Sequence, residues 1–474
     1  MMTIELNEQL LALETRYASN PRDTAIMLEI CETLVALGRE NELLYWTDRA
    51  LALDPLNAEL IGIRAFALNL LGRHTEAAET WARAPLSSAE SALAPLRRGY
   101  SLMMAGDLER AVPLLEQALQ LAVSHNASFA AQAEHLLGEA MLKTGDTGGF
   151  GHWLMRNGDP SSAGSYCPAG IPPWDGEIDL QGRRVLIAHQ LGFGDNFLLG
   201  ACVSDWLRAG ASLMITCDQQ IHALMQASLP GCEVVSAPRP SHLQDALPDY
   251  VEARVNVFAP HFYTTLLHLP LLKAKQGRQS ENYFQPYIHA PAVKQQAAEG
   301  WARQLRAQYP GKTLVGLFWD CDQRHWPALD SVPRYWAARR SLPLEAINWL
   351  VTNPVVASHV HFVNLHHPLV EVRAGTPAGN VSRYLPGIWH FDDTAACIAQ
   401  LDSVVAVDSA VANLAAMMGT RTCVPVNTSG DWRWGRRGTT SPWIKDATVL
   451  RQTCEGDWNP VVLDIASWLL QRPS

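Results

Sequence analysis

The chain has 474 residues, 48% of them hydrophobic and 18% charged, which is enough for two to four domains with cores of their own. Its net charge of -10 argues against a nucleic-acid partner, because a phosphate backbone is bound by a basic surface. No apolar run reaches the roughly 18–20 residues of a membrane span, and the opening MMTIELNEQLLALE lacks a basic stretch followed by an apolar one.

The first third carries an internal repeat. Gly38, Gly72 and Gly106 stand 34 residues apart, as do Ala50, Ala84 and Ala118, and Pro21 and Pro55. Each unit reads as two amphipathic helices with Gly in the turn between them and the small Ala at their close approach. This is the tetratricopeptide period, so residues 1–148 are expected to form a helical repeat array. A fourth, less regular unit begins near Phe129, with Gly145 in its turn, after five extra residues around SHNAS. Such arrays hold extended peptides or partner helices, or serve as packing modules.

Residues 149–182 are rich in Gly, Pro and Ser and read as a linker that packs through Trp153 and Trp174. Strands then alternate with helices. RRVLIAHQ, SLMITCD and CEVVSA are the strands of an α/β lobe over 183–291, which QPYIHAP closes. A second alternating series over 292–474 contains TLVGLFWD, VHFVNL and SVVAVD. The fold class is therefore α plus α/β: helical repeats, then two Rossmann-like lobes with a cleft at the carboxyl ends of their strands.

Two turns in these lobes point to chemistry. After SVVAVD, Asp408 is followed by Ser409, Ala410 and the helix AVANLAAMMG. A strand, a tight turn and a helix start bring free N–H groups and the positive end of the helix dipole to one point, which suits a phosphate. After RRVLIAHQ, Gly192 and Gly194 let the backbone turn sharply and set Asp195 at the cleft edge. A dinucleotide fingerprint fits poorly, since GFGDNF lacks the third glycine.

The motifs PPWDGEIDLQGRRVLIA, GFGD, QPYI, HWP, RRSLPL, DTAACIAQLD, VDSAVANLA and DWRWGRRGTTSPW, in this order, resemble the heptosyltransferase-like branch of the GT-B glycosyltransferases. The likeness extends over nearly the whole chain to bacterial proteins that join tetratricopeptide repeats to such a domain, an architecture similar to that of O-linked N-acetylglucosamine transferases. It implies a nucleotide-sugar donor and a hydroxyl acceptor, such as a surface or flagellar protein subunit.

In that family the Asp of the GxGD turn is thought to be the general base, so the resemblance gives Asp195 the role of taking the acceptor hydroxyl's proton; its other reading is a helix N-cap. The basic residue before HWP is Arg324, which implies a clamp on the leaving diphosphate, with an ordinary surface Arg as the alternative. The family has Thr where Ser409 stands and His where Asn413 stands. Serine keeps the hydroxyl; asparagine loses the ionisable ring. Trp432, Trp434 and Trp443, with Arg433, Arg436 and Arg437, suit either stacking on a base or sugar or packing between lobes. Where the family continues TxQFxRY, this chain has NFLLGAC, with Leu198, Ala201 and Cys202 in place of polar residues.

The nine cysteines are scattered with no CxxC pair, and the sixteen histidines include no HExxH. Reduced thiols and a cytoplasmic chain without cofactor or metal are expected. The expectation is a metal-independent, inverting glycosyltransferase; the alternative is a repeat scaffold whose transferase half has lost its chemistry.

Overall fold

The computed structural model of the protein describes residues 2–84, 93–122, 127–154, 164–174, 178–241, 245–275, 283–321, 338–379 and 381–471. Arg324 and the HWP motif lie outside the described residues.

The repeat array begins with α1 (Met2–Ser19), then pairs α2 (Thr24–Leu37) with α3 (Glu40–Leu53) and α4 (Ala58–Leu70) with α5 (His74–Trp81). It continues with α6 (Leu93–Met104) and α7 (Leu108–Ala122), then α8 (Ala127–Lys143) and α9 (Gly149–Trp153). The repeated glycines have positive φ, +66° at Gly38, +75° at Gly72, +77° at Gly106 and +84° at Gly145. That left-handed geometry ends one helix and starts the next, and glycine adopts it without a Cβ clash. Ala50 and Ala118 are fully buried at helix contacts. Ala84 breaks the pattern: it lies past the end of α5 and is only half-buried. The boundary expected at 148 falls inside the fourth unit. Gly138 and Gly149 let α8 and α9 touch so closely that a Cβ on Gly138 would stand 2.3 Å from the Trp153 amide.

The first lobe holds β1 (Arg184–Ala188), β2 (Ser212–Cys217), β3 (Cys232–Ser236) and β4 (Phe262–Thr265) in the order β3-β2-β1-β4. All pairs are parallel, with Val185 beside Leu213 on one side and Phe262 on the other. The second lobe holds β5 (Thr313–Phe318), β6 (Val360–Asn364), β7 (Val381–Arg383), β8 (Ser403–Ala406), β9 (Thr422–Val426) and β10 (Ala447–Arg451). Their order, β10-β9-β8-β5-β6-β7, is the doubly wound one, and the strand order reverses between β5 and β8. The crevice at that switch point is where open α/β sheets bind ligands.

The three parts are welded together. Segment 283–291 runs from the first lobe onto the second, where the Tyr287 and Ile288 amides both donate to the Met417 carbonyl, at 2.8 and 3.0 Å. Phe150 of α9 packs against Tyr283, Phe284, Trp432 and Trp443, joining array, crossing segment and second lobe in one apolar cluster. Turns of the array also reach the second lobe. The Arg339 guanidinium donates to the Leu70 carbonyl at 2.9 Å, and Arg436 donates to the Gly106 carbonyl at 2.8 Å and to Glu109 at 2.6 Å. The buried Lys143 ammonium donates to the carbonyls of Ser429 and Gly430.

Candidate functional site

β8 and β1 end opposite one another, and the two turns read from the sequence meet there. On the second lobe, Ser409 is extended (φ -159°) and its hydroxyl accepts from the Ala412 amide at 3.3 Å, capping the helix Ala410–Met417. On the first lobe, α10 (Phe193–Leu199) starts after Gly192, and the Asp195 carboxylate accepts from the Gly192 amide at 3.2 Å. Leu191, just ahead of this turn, is held at φ +65°, a conformation that branched side chains rarely adopt.

The contact between the turns is close. A Cβ on Gly194 would lie 3.0 Å from the Asn413 amide nitrogen and 3.2 Å from the Ala410 Cα. A side chain at 194 would press on the start of this helix. Asn413 is buried; its side-chain NH2 donates to the Ser409 carbonyl at 3.1 Å, and its Oδ1 has no hydrogen-bond partner among the described residues. Serine at 409 thus serves as a cap, and asparagine at 413 fixes the turn.

Around this contact lies a buried charge network. The Arg433 guanidinium donates through Nη2 to Asp195 across the lobes, and through Nη1 to Asp431 at 2.6 Å. Asp408, 7% exposed, accepts from the Trp434 indole at 2.7 Å and has Arg340 at 4.0 Å. Burial, reinforced by the Asp431 charge, pushes the Asp408 carboxyl above the usual carboxylate range, against the pull of Arg340. Burial also acts to raise Asp431, but the Arg433 cation beside it wins and its carboxyl is held low.

Asp195 stands in the first turn of α10, whose N-cap is Gly192, and its carboxylate accepts from the Gly192 amide and from Arg433 at the meeting of the lobes. Ser409, Ala410 and Asn413 are brought to it; Gly192 and Gly194 form the turn. Trp432 and Trp434, offered as stacking faces, are buried, 1% and 0% exposed, with Trp432 edge-on to Trp153 and Trp443. The loop DWRWGRRGTTSPW is instead the seat of the repeat array. Arg340 and Asp431 were not singled out from the sequence, although RRSLPL and DWRWG contain them. Their position at the site follows from the fold, not from local pattern.

A cavity of about 500 Å³ opens beside this network at the carboxyl end of β5, lined by Trp319, Asp320, Ser341, Leu344, Ala374 and Trp458. It connects to Asp408 through Cys321, whose amide donates to the Ser341 hydroxyl at 3.0 Å and whose thiol donates to the Asp408 carbonyl at 3.6 Å. Among the described residues no group of three or more His, Cys, Asp or Glu is placed to hold a metal ion, and no helix is long and apolar enough to cross a membrane.

No protein-family model matches the sequence, and no curated protein matches it. Solved structures do resemble it. A glycosyl transferase family 9 protein from Veillonella parvula aligns at 11% identity over 63% of this chain and 92% of its own, with a TM-score of 0.40. MamA from Desulfovibrio magneticus RS-1 aligns at 16% identity over 31% of this chain and 82% of its own, TM-score 0.29. YrrB, a TPR protein with an unusual peptide-binding site, aligns at 17% identity over 30% of this chain and 72% of its own, TM-score 0.26. At these scores the fold assignment rests on the helix pairs and strand orders themselves: a tetratricopeptide array followed by two parallel-sheet α/β lobes.

Proposed function

We propose that the protein is a glycosyltransferase of GT-B architecture that moves a sugar from a nucleotide donor to a hydroxyl. The observation that carries this reading is the meeting of the turn that bears Asp195 with the strand–turn–helix at Asp408–Ala410, each at the carboxyl end of a parallel sheet. The nucleoside would occupy the cavity at Trp319 and Trp458, whose size suits a ligand of that class. The diphosphate would lie toward Ser409, its leaving charge met by arginines of the chain, Arg324 included, without a metal. Asp195 would accept the acceptor hydroxyl's proton as that oxygen attacks the anomeric carbon, inverting it, and the nucleoside diphosphate would leave with the bonding electron pair.

The repeat array supports a protein acceptor or partner, since such arrays hold extended peptides on their concave face. All nine cysteines are free thiols, which supports a reducing, cytoplasmic setting.

A second reading, a repeat scaffold with an inactive transferase half, is favoured by one observation. Leu198, Ala201 and Cys202, at positions where the resembled family carries polar residues, are buried in the core and offer an acceptor nothing. The purified chain is to be assayed for hydrolysis and transfer with a panel of nucleotide sugars. Turnover is expected with at least one donor, and Asp195→Asn should lose transfer while still binding that donor. If no donor is bound or consumed, the scaffold reading stands.

A further inference from the structure

Arg433 is the residue on which the two lobes' charges converge. Its guanidinium, only 11% exposed as a side chain, holds the Asp195 carboxylate of the first lobe and the Asp431 carboxylate of its own loop. Asp431 is built in, since it also accepts from the Arg433 amide at 3.0 Å and caps the short turn Trp432–Trp434. Asp195 differs. It comes from the opposite lobe, its side chain is 21% exposed, and it stands in the first turn of α10, after Gly192 and the positive-φ residue Leu191. The Arg433 Nε, buried as well, has no partner among the described residues, so the guanidinium retains an unused donor.

Both oxygens of the Asp195 carboxylate are engaged within the protein, one by the Arg433 guanidinium and the other by the Gly192 amide. A diphosphate, by contrast, offers several oxygens and more charge to the same planar fork, which binds phosphate and carboxylate alike. Asp195 stands one residue past Gly194, which packs against Ala410 at the start of the switch-point helix.

Resting on the transferase reading, we propose that Arg433 is a donor-phosphate ligand and that the nucleoside diphosphate moiety displaces Asp195 from it. Donor binding then does two things with one exchange. It seats the phosphates on Arg433, and it releases the Asp195 carboxylate to act on the acceptor. In the protein without donor, Asp195 stays paired with Arg433 across the lobes. Arg433 belongs to the loop that carries the repeat array, so the donor site and the array share one structural element.

Calorimetry on the full chain, with a panel of nucleoside diphosphates and their parent nucleosides, separates the possibilities. The wild type should bind at least one diphosphate more tightly than its nucleoside. Asp195→Asn removes the competing carboxylate charge and should tighten diphosphate binding about two- to fivefold, leaving nucleoside binding unchanged. Arg433→Lys, which keeps the charge and loses the fork, should weaken diphosphate binding roughly tenfold or more with little change for the nucleoside. The Asp195 arm does not depend on Arg433→Lys folding. If the wild type binds a diphosphate and Asp195→Asn fails to tighten it, the exchange is refuted and the transferase reading survives. If the wild type binds no diphosphate of any base, the transferase reading fails and the exchange with it.

Discussion

Gly194 decides how close the two lobes come, and its neighbours say why a larger residue fails there. A methyl group would meet the Asn413 side chain at 3.0 Å and the Ala410 backbone at 3.2 Å, and a backbone atom cannot step aside without moving a helix. Gly194→Ala should therefore cost about 1–3 kcal/mol, as overpacking does, read as a lowered midpoint in denaturant unfolding. Gly192→Ala in the same turn is the contrast. Its new carbon would find only the Asp195 carboxylate, at 3.5 Å, and the backbone there has an ordinary φ of -78°. That change should stay within about 0.5 kcal/mol. Equal losses at both positions would mean that the turn, not the lobe contact, demands glycine. At this scale the sequence revealed residues but not their partners. Asp408, Ser409 and Ala410 are contiguous and legible as a strand–turn–helix. The bond from Arg433 to Asp195 joins residues 238 apart in the chain, and no local pattern announces it. Tryptophans in DWRWG look the same from sequence whether they stack on a ligand or fill a core; only their burial tells which environment they occupy.

Elements were legible where a period or a long apolar run marked them. Gly38, Gly72 and Gly106 all have positive φ, so the 34-residue spacing read in the chain is a spacing of left-handed turns, and Gly145 in the shifted fourth unit has the same geometry. Gly106 isolates that effect, because a Cβ there would meet nothing within 4 Å. Gly106→Ala should thus cost about 1–2 kcal/mol from backbone strain alone, measured as a shift in the unfolding midpoint; an unchanged midpoint would show that the turn relaxes. Strands β4, β7, β9 and β10 went unread for physical reasons. β4 reads FYTT and β7 VSR, each half polar or more and lacking the apolar run that marks SVVAVD. β9 contains Pro425, which ordinarily argues against a central strand. Here β9 pairs with β8 through Thr422 and Cys423, so the proline falls past that pairing, next to Leu450 of β10.

At the scale of the molecule, the repeat array is docked on the second lobe by polar groups at its turns, and one of them makes that docking sensitive to pH. His74, at the start of α5, is buried with its Nδ1 against the Asn69 Oδ1 at 3.0 Å and its Nε2 against the Ser429 hydroxyl at 3.1 Å. The amide oxygen can only accept, so Nδ1 carries a proton, and the Ser429 hydroxyl can donate to a neutral Nε2. Burial, with the Arg339 and Lys143 cations nearby, pushes its pKa down to about 4 from an ordinary 6.5. In the folded state the ring stays neutral to near pH 4, while in the unfolded chain it takes a proton near pH 6.5. The unfolded state therefore binds more protons between these values, and stability present above pH 6.5 is lost as the pH falls through that window. From pH 7 to pH 5 this one ring should remove about 2 kcal/mol. His189, buried at the end of β1 and also pushed down to about 4, acts in the same direction. Denaturant unfolding at pH 7 and pH 5 should show the decline, and His74→Gln, which retains a donor and an acceptor but cannot titrate in this range, should lose roughly His74's share of it. A slope unchanged by His74→Gln would mean that the ring is not held neutral at the lobe contact, and that the array is seated by Lys143, Arg339 and Arg436 without it.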